Sequence, residues 1–92
     1  SITACWFDGT LKDYESGAIV RFNYNTITSC YWGGNAERGE FRNFGGTVDA
    51  TKVDGATVKW QTAVDGMNTA LTAGDYQWAL GTDGLPVLQK RQ

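Results

Sequence analysis

Ninety-two residues with 41% hydrophobic and 20% charged positions describe a single folding domain whose core is marginal without help from neighbours or crosslinks. A net charge of −2 argues against a nucleic-acid partner, which needs a basic face. No apolar run approaches the length of a membrane helix, no leader or lipidation signal is visible, and a chain without His can assemble neither a Ser-His-Asp nor a Cys-His set.

In chain order, residues 2–7 read as a strand and Asp8-Gly9 as a turn. Leu11 to Ser16 is polar and loop-like, and Gly17 to Phe22 is a nearly continuous apolar strand expected to be covered at least in part on both faces. Asn23-Tyr24-Asn25 turns the chain, because Asn tolerates the left-handed region and bonds its own backbone. Thr26 to Trp32 is the next strand, ended by Gly33-Gly34-Asn35. Residues 36–46 read as a long excursion, and Thr47 to Val53 as a degenerate strand with Val48, Ala50 and Val53 inward. From Val58 to Leu71, Trp60, Ala63, Val64, Met67 and Leu71 form one helical stripe, with Thr57 as N-cap and Gly66 costing about 1 kcal/mol against Ala. Tyr76 to Leu80 then alternates as a strand, Gly81 to Gly84 turns, and Leu85 to Leu88 is a short strand that Pro86 confines to an edge.

The chain contains one stretch twice. Ile2-Thr3-Ala4-Cys5-Trp6-Phe7-Asp8-Gly9 and Ile27-Thr28-Ser29-Cys30-Tyr31-Trp32-Gly33-Gly34 align at a constant offset of 25 residues, cysteine on cysteine. Such a period marks a stacked array in which each unit buries its apolar face on the next. The expected fold is mainly β with one C-terminal helix: short parallel β-solenoid-like coils, capped at their open end by the helix and short edge strands. A small β-sandwich or α+β domain, with two strands alike by shared turn chemistry, is the alternative. On either reading residues 1–92 are one domain, in which 2–34 hold the repeat strands, 35–56 a loop with a degenerate strand, and 57–92 the helix and terminal strands. A chain that opens directly on a repeat copy is expected to be the C-terminal end of a longer array.

The segment Ser16 to Trp32 resembles the GLUG motif, which reads roughly Gly-Gly-Leu-Val-Gly, a polar turn, then Ile-x-Asn-Cys-Tyr. Ala63 to Leu71, Tyr76-x-Trp78 and Asp83 to Leu88 resemble the way arrays of this motif finish. The likeness covers most of residues 2–34 and 58–88, with Ala18 and Arg21 where the motif prefers Gly and Ser29 where it prefers Asn. The resemblance implies an extracellular segment of a large bacterial surface protein, and it brings no catalytic residue with it.

Cys5 and Cys30, if stacked one coil apart, lie within disulfide range, and a bridge closing that loop would contribute ~3 kcal/mol in the chain-entropy model. The other reading is two free thiols acting as small buried hydrophobes, favoured because adjacent parallel strands bridge poorly. Trp6, Tyr14, Tyr24, Tyr31 and Trp32 are the aromatics that would stack on sugar rings if exposed, whereas core packing is the plainer account of them. Asp13 with Glu15, or Glu37 with Glu40, would make an acid–base pair only in a groove that raises one pKa; solvated charge explains them as well. Asp8, Asp13 and Glu15 lack calcium-loop spacing.

The expectation is therefore a non-catalytic extracellular surface or adhesin-type repeat module, without cofactor or metal, that meets a glycan or a host or cell-surface protein and associates through its strand edges. The alternatives are a carbohydrate-binding accessory domain, and a non-catalytic segment of a secreted peptidase.

Overall fold

Residues 25 apart in the chain lie side by side. The computed structural model describes residues 1–12 and 15–91. The elements are β1 (Ile2–Thr3), β2 (Trp6–Gly9), β3 (Val20–Asn23), β4 (Ile27–Gly34), β5 (Glu40–Asn43), β6 (Val48–Lys52), α1 (Trp60–Thr69), β7 (Tyr76–Leu80) and β8 (Pro86–Lys90). The fold is mainly β, with one C-terminal helix.

β4 is the centre of the larger sheet. On one side it pairs in parallel with β1 (Ile2 beside Ile27) and with β2 (Trp6 beside Tyr31, Gly9 beside Gly34). On its other side it pairs in parallel with β6, Ile27 beside Val48 and Trp32 beside Lys52. Parallel neighbours need a crossover, and both crossovers carry a strand of their own. These strands, β3 and β5, pair in parallel with each other, Phe22 beside Arg42 and Asn23 beside Asn43. The chain thus passes alternately between two parallel sheets. The segment expected to be an excursion, residues 36–46, holds β5. Asp8-Gly9, expected as a turn, lies in β2 instead, because Gly33-Gly34 extends its partner strand.

Each repeat copy carries one backbone kink. Ala4 (φ 54°) and Ser29 (φ 51°) occupy equivalent positions in the left-handed region, which costs a residue with a Cβ about 1–2 kcal/mol. The kink changes the phase of the strand. Strict alternation would put Ile27 and Cys30 on opposite faces, yet both are buried, together with Trp32. β6 lacks the extra residue, so its register against β4 slips between Ile27 and Cys30. The slip brings Asp49 beside the kink, where its carboxylate accepts the Ser29 backbone N–H at 3.0 Å.

The face of the larger sheet that bears Ala4, Trp6 and Tyr31 packs on α1. Buried Ala4, Ala63 and Met67 form the centre of this layer, and Trp6, Tyr31, Val53, Trp60, Leu71 and Trp78 surround it. Burying Met67 completely contributes about 1.5–3 kcal/mol. The helix keeps the predicted stripe but starts later than expected. The Asp54 carboxylate accepts the N–H groups of Ala56, Thr57 and Val58, each at 2.9 Å, and so holds Thr57 in a turn before the helix. The first turn is closed by Thr62, whose Oγ1 accepts the Lys59 N–H at 3.2 Å.

The position of α1 differs from the expected cap on an open end. It lies over the central strand β4 and against β7, covering a face of the sheet and leaving the edges alone. Apolar area decides this: Trp6, Tyr31 and Val53 offer the stripe far more to bury than a strand edge does. β7 and β8 form an antiparallel hairpin, with Trp78 beside Leu88 and Pro86 at its first position. Asn68 fixes it to the helix. The Trp78 N–H donates to Asn68 Oδ1 at 2.7 Å, and Asn68 Nδ2 donates to the Trp78 carbonyl at 2.9 Å. At the far end, Arg91 Nη2 donates to the Leu71 carbonyl at 2.6 Å and Arg91 Nε to that of Gly74 at 3.1 Å.

Candidate binding surface

The smaller sheet, β3 with β5, ends in two stacked turns built by asparagines. Buried Asn23 donates from Nδ2 to the Asn25 carbonyl at 2.7 Å and to Asn43 Oδ1 at 2.9 Å. Asn43 repeats the device, donating from Nδ2 to the Gly46 carbonyl at 2.7 Å. A Cβ on Gly46 would overlap the Asn25 carbonyl oxygen, so the close approach of the two turns requires glycine there.

The residue after each asparagine is aromatic, and the rigid turns direct both rings outward. Tyr24 and Phe44 stack at 5.1 Å with their planes 14° apart. From Phe44 the contact chain runs to Phe22 at 5.7 Å and on to Phe41 at 6.2 Å. Tyr24 is 71% exposed, Phe44 52% and Phe22 41%, so the strip faces solvent. Three of the chain's four arginines border it. The Arg21 guanidinium lies 4.9 Å from the Phe22 ring centre, and those of Arg38 and Arg42 lie 4.7 and 5.2 Å from that of Phe41. Arg21 is also paired with Glu15 at 3.1 Å, an exposed contact worth about 0–1 kcal/mol.

Of the described aromatics picked out from the sequence, only Tyr24 belongs to this strip. Trp32 is 5% exposed, and its Nε1 donates to the Ala36 carbonyl at 2.8 Å inside the core. Trp6 meets Trp60 at 5.4 Å and Trp78 at 6.4 Å, both edge to face, beneath the helix. Tyr31 lies beside Gly66 of α1, where burial, then Asp49 and Cys30, pushes its hydroxyl above the usual value of 10.0. Tyr14 lies outside the described residues. Phe22, Phe41 and Phe44 were missed. Their signal was present: Phe22-Asn23-Tyr24 and Arg42-Asn43-Phe44 share an Asn-aromatic pair at an offset of 20 residues.

Both cysteines are free thiols. In each copy the Sγ donates to the carbonyl two residues earlier, Cys5 to Thr3 and Cys30 to Thr28, at 3.4 Å. Burial pushes the Cys30 thiol above its usual value, which suits a small core side chain.

A shallow cleft of about 540 Å³ lies among Asp8, Gly33, Val53, Asp54, Lys59 and Trp60. Its Asp54 carboxylate is held below the usual range by the N–H groups of Ala56 and Val58. Such a group is a committed acceptor and a poor general acid. Asp13, which belongs to one acid–base candidate and to the calcium candidate, lies outside the described residues, and its companion Glu15 faces Arg21. Of the remaining pair, Glu37 is exposed and Glu40 stands in β5 beside Val20. Comparison with protein-family models, with curated proteins and with solved structures finds no match to this chain.

Proposed function

We propose that the chain is a non-catalytic surface module of GLUG type that works outside the cell in adhesion or display, as a short parallel β-solenoid with a helix on one face. The observation that carries this reading is the register: β1 and β2 on β4, and β4 on β6, all parallel, with β5 stacked on β3 in the crossovers. Equivalent kinks at Ala4 and Ser29 and equivalent turns at Asn23 and Asn43 support it. After β6 the chain leaves the stack for α1. Further coils of the same chain would therefore add at the edge of β1 and β2.

That edge supplies the experiment. The Ile2 and Ala4 N–H groups donate inward to the Thr26 and Thr28 carbonyls at 3.0 Å, so the intervening Thr3 N–H faces the open side. Sedimentation over rising concentration should show reversible association of the isolated chain, and Thr3→Pro should weaken it on the order of tenfold by removing an edge donor. Concentration-independent sedimentation as a monomer would count against an array edge there.

A second reading, a carbohydrate-binding accessory module, draws on Tyr24 and the strip around it.

A further inference from the structure

We infer that the strip formed by Tyr24, Phe44, Phe22 and Phe41 is a binding site for an acidic polysaccharide, with Arg42 taking a carboxylate of the sugar. The inference rests on the carbohydrate-binding reading and narrows it. Phe44 covers one face of the Tyr24 ring, and at 71% exposure the other is open. The face of a pyranose directs C–H bonds, which carry partial positive charge, at the negative face of such a ring. The platform stands on turns held by Asn23, Asn43 and Gly46, so little ordering remains to be done on binding.

Charge separates an acidic glycan from the other occupants. Of the arginines along the strip, Arg21 is paired with Glu15, whereas exposed Arg42 lies over the Phe41 ring without an ion pair to any described carboxylate. The charge lies at one end, over Phe41, and the open ring at the other. A polymer that stacks one residue on Tyr24 thus brings an acidic group further along to Arg42, whose planar fork suits a carboxylate. A peptide anchor needs a pocket to fill, whereas Tyr24, Phe44 and Phe22 stand 41–71% exposed. A neutral glycan would make no use of the Arg42 charge.

The test is calorimetric titration of the whole chain with an oligogalacturonate, a neutral galactan oligomer of equal length and an oligoglutamate peptide, at low and physiological salt. The expected result is oligogalacturonate binding with a Kd of ~1 mM or tighter, weakened by salt. Tyr24→Ala should abolish it and Arg42→Gln should weaken it about tenfold, with the thermal transition unchanged because both side chains are exposed. Equal affinity for the neutral oligomer would overturn the acidic assignment while leaving the carbohydrate reading standing. Binding of oligoglutamate as tight as that of the oligogalacturonate, or insensitivity to Tyr24→Ala, would overturn the stacking site. No binding of either glycan would overturn both readings.

Discussion

Gly66 shows how one residue's packing can outweigh its propensity. In a helix Ala is favoured over Gly by about 1 kcal/mol, so the sequence alone marks this position as a weakness. In the structure a Cβ there would overlap the Tyr31 hydroxyl, and the ring of Tyr31 lies next. Glycine is what lets α1 lie close on β4. Gly66→Ala should therefore destabilise the protein by about 1–2 kcal/mol net, since overpacking costs more than propensity returns. Thermal or urea unfolding measures this, and Tyr31→Phe should relieve part of the loss in a double-mutant cycle. A Gly66→Ala variant more stable than the parent would show that the helix is not seated on Tyr31. Kinks of the Ala4 and Ser29 kind leave little trace in sequence, because neither residue favours the left-handed region. Simple alternation would part Ile27 from Cys30 and Trp32, whereas the phase change inside the strand goes with burial of all three.

At the scale of elements, the long periodic patterns were legible and the short ones were not. The stripe from Trp60 to Met67 became α1, with Leu71 just beyond its end, and the alternation of Tyr76 to Leu80 became β7. β5 was not legible, because Glu-Phe-Arg-Asn has the composition of a loop and becomes a strand only through its pairing with β3. The hairpin β7–β8 is held to the helix by few polar contacts, and Asn68 supplies two of them. Asn68→Ala would leave the Trp78 N–H and carbonyl without their partners, at a cost of about 1–3 kcal/mol. Amide hydrogen exchange should then speed up across Tyr76–Leu80 and Pro86–Lys90 and stay slow in β4. Equal acceleration everywhere would mean that the hairpin and the sheet open as one unit.

For the whole molecule, the sequence spacing of the two cysteine-bearing segments was enough to place them side by side, since eight positions align without a gap. The fourth strand of that sheet, β6, was read as a degenerate strand with no place in the repeat. Its offset from β4 changes from 21 to 20 residues across the kink, and it carries neither the cysteine nor the aromatic pair. Phe44 escaped for the same reason: it matches Tyr24 at the 20-residue offset, outside the 25-residue repeat. The helix was expected at an end of the stack and lies on a face instead, which leaves both outer edges of the larger sheet to strands.

The central claim is that these segments run in one direction, each beside the next in register. Cross-strand nuclear Overhauser contacts of backbone protons in the isotope-labelled chain test it most directly. The account predicts contacts joining Trp6 with Tyr31 and Tyr31 with Thr51 in the pattern of parallel strands. Close Hα–Hα contacts that pair the segments head to tail, Ile2 near Gly34, would contradict it.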